Sequence, residues 1–256
     1  MPKGLRKREI AAGENGYGCL KKEEFMGIRK KEWPAPEEIC RTADEWTKKY
    51  RISFSGLDII DDSPETIDKP RWNVARIFPS RAKIWQQREE ILAFLEVIHK
   101  LNLHGPAVEI GLDEGGTHFI WRQLFNKVVS VEIDINKCVK VISTHHPDEK
   151  SHIVCGDSAD FRTAIKVKEI LGKIDMLFID GDHQYASILC DYKAFSGLVK
   201  NGGIIAFHDT LGRHPSHLGV VRFLAQLSDG LIDGKKHNIV QIDRAGTGIS
   251  YEIVKE

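Results

Sequence analysis

Acid and imidazole side chains close two apolar runs of this chain. The first run, residues 176–179, stops at Asp180-Gly181-Asp182-His183, and the second, residues 203–207, stops at His208-Asp209. A short continuous apolar run bounded by turn residues reads as a strand buried on both faces. Carboxylates and imidazoles at the end of such a strand are costly unless they are paired. In an open α/β sheet the carboxyl edge is where ligands bind. Two adjacent strands ending this way bring acids and imidazoles to one small site. An imidazole such as His183, with an ordinary pKa of about 6.5, accepts a proton at neutral pH. The alternative is structural, with Asp180 and Asp182 capping the next helix and His183 packing.

A second signal lies upstream, in Gly111-Leu-Asp113-Glu-Gly115-Gly-Thr117 after a short apolar run at 107–110. Glycines there allow a tight turn and close backbone approach to a ligand at a helix amino terminus. Glu132 ends the next apolar run, where an acidic residue accepts ribose hydroxyls. Asp157-Ser158 ends the third, where it would face an adenine. These features point to a nucleoside-containing cofactor. The G-x-G-x-x-G fingerprint is absent, and Asp113-Glu114 would repel a pyrophosphate, which disfavours NAD and FAD and favours a cationic ligand such as a sulfonium.

The elements that must position these residues alternate. Strands are expected over 107–110, 128–133, 151–154, 176–179 and 204–207, with helices over 118–125, 137–144, 159–171 and 185–199 between them. A further helix over 219–228 and a closing hairpin of 238–242 and 249–254 complete the set. This pattern predicts an α/β fold, a doubly wound and mostly parallel seven-stranded sheet. Upstream, a helical amino-terminal extension is expected: one helix over 37–49 and another over 81–102 with Ser80 as its cap. The expected division is a flexible basic arm over 1–32, a helical extension with a substrate-wall loop over 33–104, and the cofactor-binding domain over 105–256. Substrate walls are expected from residues 51–79 and 211–218, the latter carrying His214 and His217.

Across the 256 residues, Lys plus Arg and Asp plus Glu are 37 each, so no global field draws the chain to nucleic acid or anionic membrane. No apolar run reaches about 18 residues, so no membrane span is expected, and the basic start lacks the apolar segment of a secretory signal. The five cysteines are scattered without C-x-x-C spacing, which reads as reduced thiols in a cytoplasmic protein.

The motifs Val108-Glu-Ile-Gly111, Gly115-Gly-Thr117, Val131-Glu132, Gly156-Asp157-Ser158, Phe178-Ile-Asp180-Gly-Asp-His183 and Gly202-Gly-Ile-Ile-Ala-Phe-His208-Asp209 together resemble class I S-adenosylmethionine-dependent methyltransferases. More narrowly, they resemble the metal-dependent O-methyltransferases of the catechol, macrolide-sugar and cephalosporin-hydroxylase-like types. The resemblance implies a Rossmann-like methyltransferase fold from about residue 107 onward. It implies S-adenosylmethionine held by Glu109, Gly111, Asp113, Gly115 and Thr117, with Glu132 on the ribose, Asp157 and Ser158 on the adenine, and Asp180 at the same edge. It implies a divalent metal on Asp180, His208 and Asp209. Mg²⁺ is the first expectation, but His208 stands where relatives often carry a carboxylate, and imidazole also suits Mn²⁺, Fe²⁺ or Zn²⁺. His183 would be the general base.

The expected activity is methyl transfer to a hydroxyl of a small molecule: a sugar, polyketide or phenol. Such a transfer needs an aligned, deprotonated oxygen, which a metal on Asp180 and Asp209 together with His183 would provide. Two alternatives stand beside it: a non-catalytic cofactor-fold module whose arm docks a partner, and a cephalosporin-hydroxylase-like enzyme. A nucleic-acid substrate is disfavoured, because the Asp/Asn-Pro-Pro-aromatic signature is replaced by Asp180-Gly-Asp-His183. The arm would suit a homo-oligomer.

Overall fold

The computed structural model describes residues 82–145, 149–242 and 246–255, together with strand backbone at 29–30, 52–53 and 75–77. The expected arm over 1–32, apart from that strand, and the expected helix over 37–49 lie outside the described residues. The elements in chain order are β1 (Arg29–Lys30), β2 (Ile52–Ser53), β3 (Ala75–Ile77), β4 (Ala82–Ile84), α1 (Arg88–Lys100), β5 (Pro106–Ile110), α2 (Gly116–Leu124), β6 (Lys127–Glu132), α3 (Ile135–His145), β7 (Ser151–Cys155), α4 (Phe161–Leu171), β8 (Ile174–Ile179), α5 (Tyr185–Phe195), β9 (Val199–His208), α6 (Leu218–Ser228), β10 (Val240–Ile242) and β11 (Ile249–Ile253).

The main sheet runs β1-β10-β11-β9-β8-β5-β6-β7. Strands β7, β6, β5, β8 and β9 are parallel, and β11 enters antiparallel between β9 and β10. Those seven strands are the expected sheet. The eighth, Arg29–Lys30, adds a parallel edge along Val240 and Gln241. Strands β2, β3 and β4 form a separate antiparallel sheet.

The continuous apolar runs are explained by cover on both faces. In β8, Met176 and Phe178 face a core built with Phe94 and Ile98 of α1 and Ile120 and Trp121 of α2. Leu177 and Ile179 face the opposite core, with Ile188, Tyr192 and Phe195 of α5 and Phe223, Leu224 and Leu227 of α6. Phe94, Trp121 and Phe178 make mutual ring contacts, with centroids 5.3–5.9 Å apart, in the first core. Fully burying a side chain of this size contributes roughly 1.5–3 kcal/mol, so these rings anchor α1 and α2 to the centre of the sheet.

Two expected boundaries are corrected. Residues 82–84 form a strand rather than a first helical turn, and α1 begins at Arg88. Gln87 caps it in a reciprocal box with Glu90, whose Oε1 accepts from the Gln87 N–H at 2.7 Å. The apolar spacing of Ala82 and Ile84 fits both a strand's alternation and the helical stripe, and the pairing with β3 decides it. The helix expected over 185–199 ends at Phe195 and continues as a 3₁₀ turn, Ser196–Leu198. Asn201 to Gly203, expected as its stop, lie within β9, where Gly202 donates to the Val254 carbonyl.

Candidate active site

The carboxyl ends of β8 and β9 lie side by side, and the sequence places Asp180 after one and His208 at the end of the other. His208 Nδ1 is 3.0 Å from Asp180 Oδ1 and 3.4 Å from Asp209 Oδ2. Its other nitrogen, Nε2, is 3.1 Å from Glu90 Oε1 and 3.2 Å from Thr247 Oγ1. Glu90 is wholly buried and also accepts from the Gly248 N–H at 2.8 Å, so the start of α1 and the β10–β11 turn both fix the His208 ring. Asp209 adopts a left-handed backbone, φ 59°, unusual for a residue other than glycine. Strain of this kind costs on the order of 1–3 kcal/mol and persists where the surroundings enforce it. Here it turns the carboxylate back to the cluster.

The loop after β8 completes the group. His183 Nε2 lies 2.7 Å from Asp209 Oδ2. His217, from the 3₁₀ turn Pro215–His217, has its Nδ1 3.5 Å from Asp209 Oδ1. Asp180 Oδ2 accepts from Gln86 Nε2 at 2.6 Å, while Gln86 Oε1 is buried with no partner among the described residues. Asp182, by contrast, serves its own helix, accepting from the Gln184 N–H and from Ser187 Oγ. The capping alternative therefore holds for Asp182 and not for Asp180.

The charges follow from these contacts. Burial lifts the Asp180 carboxyl above its usual range, against the pull of His208. Burial works against a charged His208, but Asp180 and Asp209 outweigh it and hold the imidazole well above its ordinary value. Burial would raise Asp209 too, but His208 and His183 hold it well below the carboxylate range. The Asp209 hydrogen bond raises His183, and burial lowers His217.

The glycine turn abuts this cluster. Gly111 has φ 91°, and a Cβ there would collide with the Asp180 carbonyl. Gly115, φ 81°, is the cap residue of α2. Glu132 Oε2 accepts from the Leu112 and Asp113 N–H groups at 3.1 Å each, and Oε1 from the Asp134 N–H at 2.9 Å. A carboxylate has about four acceptor positions, so some capacity remains. Asp113 Oδ1 pairs with Lys137 at 2.9 Å and its Oδ2 accepts from Trp85 Nε1 at 2.6 Å, while Glu114 lies 3.4 Å from Lys140. The Asp113-Glu114 charge that was expected to repel a pyrophosphate is therefore neutralised locally, and that part of the sequence argument loses its force.

The remaining expected residues divide. Glu109 is fully buried under the turn, accepting from Trp121 Nε1 at 2.9 Å and Ser130 Oγ at 2.5 Å, and desolvation pushes its pKa to about 8. Burial thus favours its neutral form, and Thr117 is a further hydrogen-bond partner. Asp157 is exposed and caps its own turn through the Ala159 N–H at 2.9 Å. Ser158 bonds to buried Asp191, whose pKa burial raises to about 6. The sequence reading missed Gln86, Glu90 and Thr247. It also missed His118, whose nitrogens lie 2.7 Å from Ser130 Oγ and 2.6 Å from Ser151 Oγ beneath the turn.

The mostly parallel sheet has the strand order of the Rossmann-like methyltransferase fold, with the glycine turn and the acid–imidazole cluster both at its carboxyl edge. Residues 108–210 match the family described as a methyltransferase domain. The chain is similar to an O-methyltransferase from Bacillus cereus solved with SAH, at 14% identity and TM-score 0.50, covering 91% of this chain and 96% of that one. It is also similar to a Staphylococcus aureus protein provisionally described as a caffeoyl-CoA O-methyltransferase, at 17% identity and TM-score 0.53, covering 67% and 85%. Likeness at these identities shows the fold. An uncharacterized protein of Acanthamoeba polyphaga mimivirus is 50% identical over 36 residues, 14% of this chain; the chain spans 16% of that curated relative's length.

Proposed function

We propose that this chain transfers a methyl group from S-adenosylmethionine to a hydroxyl of a small molecule, with a divalent ion at the acid–imidazole cluster. The observation that carries the reading is contiguity: the Gly111 turn packs against the Asp180 backbone, so the cofactor turn and the cluster form one edge. The buried, unpartnered Gln86 Oε1 beside Asp180 supports a ligand that donates a hydrogen bond there.

The chemistry S-adenosylmethionine supplies when bound is an electrophilic methyl on a sulfonium. Glu132, through its remaining acceptor capacity, would hold the ribose hydroxyls. Gly111 and Gly115 let the backbone come close, and Asp113, Thr117 and buried Glu109 keep the turn in shape. Asp157 and Ser158 border the adenine end.

Asp180, His208 and Asp209 fit a divalent ion, since each offers one ligand atom and these lie within 4.8 Å of one another. The chemistry such an ion supplies when bound is a lowered pKa for a hydroxyl. Glu90 accepts from Nε2–H of His208, which assigns Nδ1 as the ligand nitrogen, in the carboxylate–histidine pattern of metal sites. Asp209 likewise accepts from Nε2–H of His183, leaving Nδ1 of that ring to take the substrate proton.

The test is turnover of S-adenosylmethionine with a panel of hydroxylated small molecules, with and without Mg²⁺ or Mn²⁺. Methyl transfer that a chelator abolishes supports the reading; cofactor binding without turnover on any acceptor favours a non-catalytic module.

A further inference from the structure

Asp209 belongs to two groups of potential ligands. One is Asp180, His208 and Asp209; the other is His183, Asp209 and His217, whose ligand atoms again lie within 4.8 Å of one another. The carboxylate bridges them: Oδ2 faces a ring of each group, His183 at 2.7 Å and His208 at 3.4 Å, while Oδ1 faces His217 alone of these rings, at 3.5 Å. The second group is built. Gly219 sits so close to His183 that a Cβ would collide with the His183 carbonyl and the Tyr185 nitrogen, which locks the His217 turn onto the His183 loop. The two rings meet edge to face with centroids 5.0 Å apart. His217 Nδ1 is shielded from solvent and has no hydrogen-bond partner among the described residues, although it faces the Asp209 carboxylate. A buried nitrogen in that position is uncompensated until something binds it. His214, by contrast, is exposed, and its Nδ1 is taken up by the Ser216 N–H and hydroxyl.

We infer that His183, Asp209 and His217 form a second cation site, selective for a borderline transition ion such as Zn²⁺, which inhibits the enzyme by occupying the base. Two imidazoles and one carboxylate match the ligand chemistry of Zn²⁺ and leave a position for water, whereas Mg²⁺ prefers oxygen ligands and retained waters. An imidazole bound to the ion through Nε2 carries its proton on Nδ1. It then has no lone pair to accept another proton, so His183 cannot act as base while the site is filled. Binding stands on the geometry alone; the inhibition rests on the methyl-transfer reading.

Zn²⁺ uptake by the full chain, counted by native mass spectrometry and by competition with a chromophoric chelator, tests the site. One ion for each of the two groups is expected in the wild type, and His217→Ala and His217→Gln each lose one of the two. In the transferase assay with saturating Mg²⁺, Zn²⁺ inhibits the wild type, while the turnover of each variant, taken relative to its own Zn²⁺-free rate, resists that inhibition. Equal Zn²⁺ uptake by the wild type and a folded His217→Gln overturns the site. If uptake falls as expected but inhibition is unchanged in the variants, the inhibitory role is overturned. Should no acceptor support turnover, the methyl-transfer reading fails, and uptake alone still decides the site.

Discussion

At the scale of single residues, the account turns on which nitrogen of each imidazole is free. With no ion bound, Asp180 and Asp209 hold the His208 imidazole well above its ordinary pKa, which favours its charged form. An ion requires the Nδ1 lone pair, so binding releases a proton. Divalent-ion affinity therefore rises with pH until the raised His208 pKa is passed, and calorimetry in buffers of different ionisation enthalpy should detect the proton. An affinity independent of pH would mean that His208 is not a ligand. The same shift acts on stability. A raised folded-state pKa contributes stability that is complete below about 6.5 and is lost as pH rises through the folded value. The ion-free protein should thus lose the His208 contribution on the alkaline side, and His208→Gln should flatten that limb in denaturant titrations across pH. His183→Ala is expected to lower kcat by about 10²–10⁴-fold, the range for a lost general base, while cofactor affinity is retained. Asp180, His183, His208 and Asp209 were legible in the sequence because each closes an apolar strand. Gln86, Glu90 and Thr247 were not, since they reach the site from distant parts of the chain: Gln86 lies 94 residues from Asp180, and Glu90 and Thr247 lie 118 and 39 residues from His208.

At the scale of elements, the site depends on three close approaches between loops and one helix start. Glu90 joins α1 to His208 and to the Gly248 N–H. Glu90→Ala removes the partner of a buried charge and should cost about 3–5 kcal/mol of stability, read by chemical denaturation. A loss near zero would show that Thr247 and water replace the carboxylate. Gly219→Ala forces the His217 turn off the His183 loop. Overpacking of this kind costs about 1–3 kcal/mol, and the His183–His217 ring contact should weaken with it, which the imidazole proton shifts would report. Sequence patterning placed β5 to β9 because strands buried on both faces leave unbroken apolar runs. It misplaced the start of α1 because Ala82 and Ile84 satisfy strand and helix spacing alike, and only β3 decides between them. It overran α5 because the glycines at 202 and 203 resemble a helix stop, yet they lie inside β9.

At the scale of the whole molecule, the strand order brings the glycine turn, Glu132 and the acid–imidazole cluster to one carboxyl edge of the sheet. That convergence was readable from chain order alone, since parallel strands joined by helices put every carboxyl end on one side. The edge strand Arg29–Lys30 was not readable, because two residues of a charged segment carry no periodic signal. Among the described residues no helix is long and apolar enough to cross a membrane. The central claim is that cofactor turn and metal cluster form one site. The most direct measurement is calorimetric titration of S-adenosylhomocysteine into the wild type and Asp180→Asn, each with and without Mg²⁺. Binding with a Kd of order 1 μM, about −8 kcal/mol, with a Mg²⁺ response in the wild type that Asp180→Asn abolishes, is the predicted result. No binding of S-adenosylhomocysteine, or an unchanged Mg²⁺ response in the variant, would contradict it.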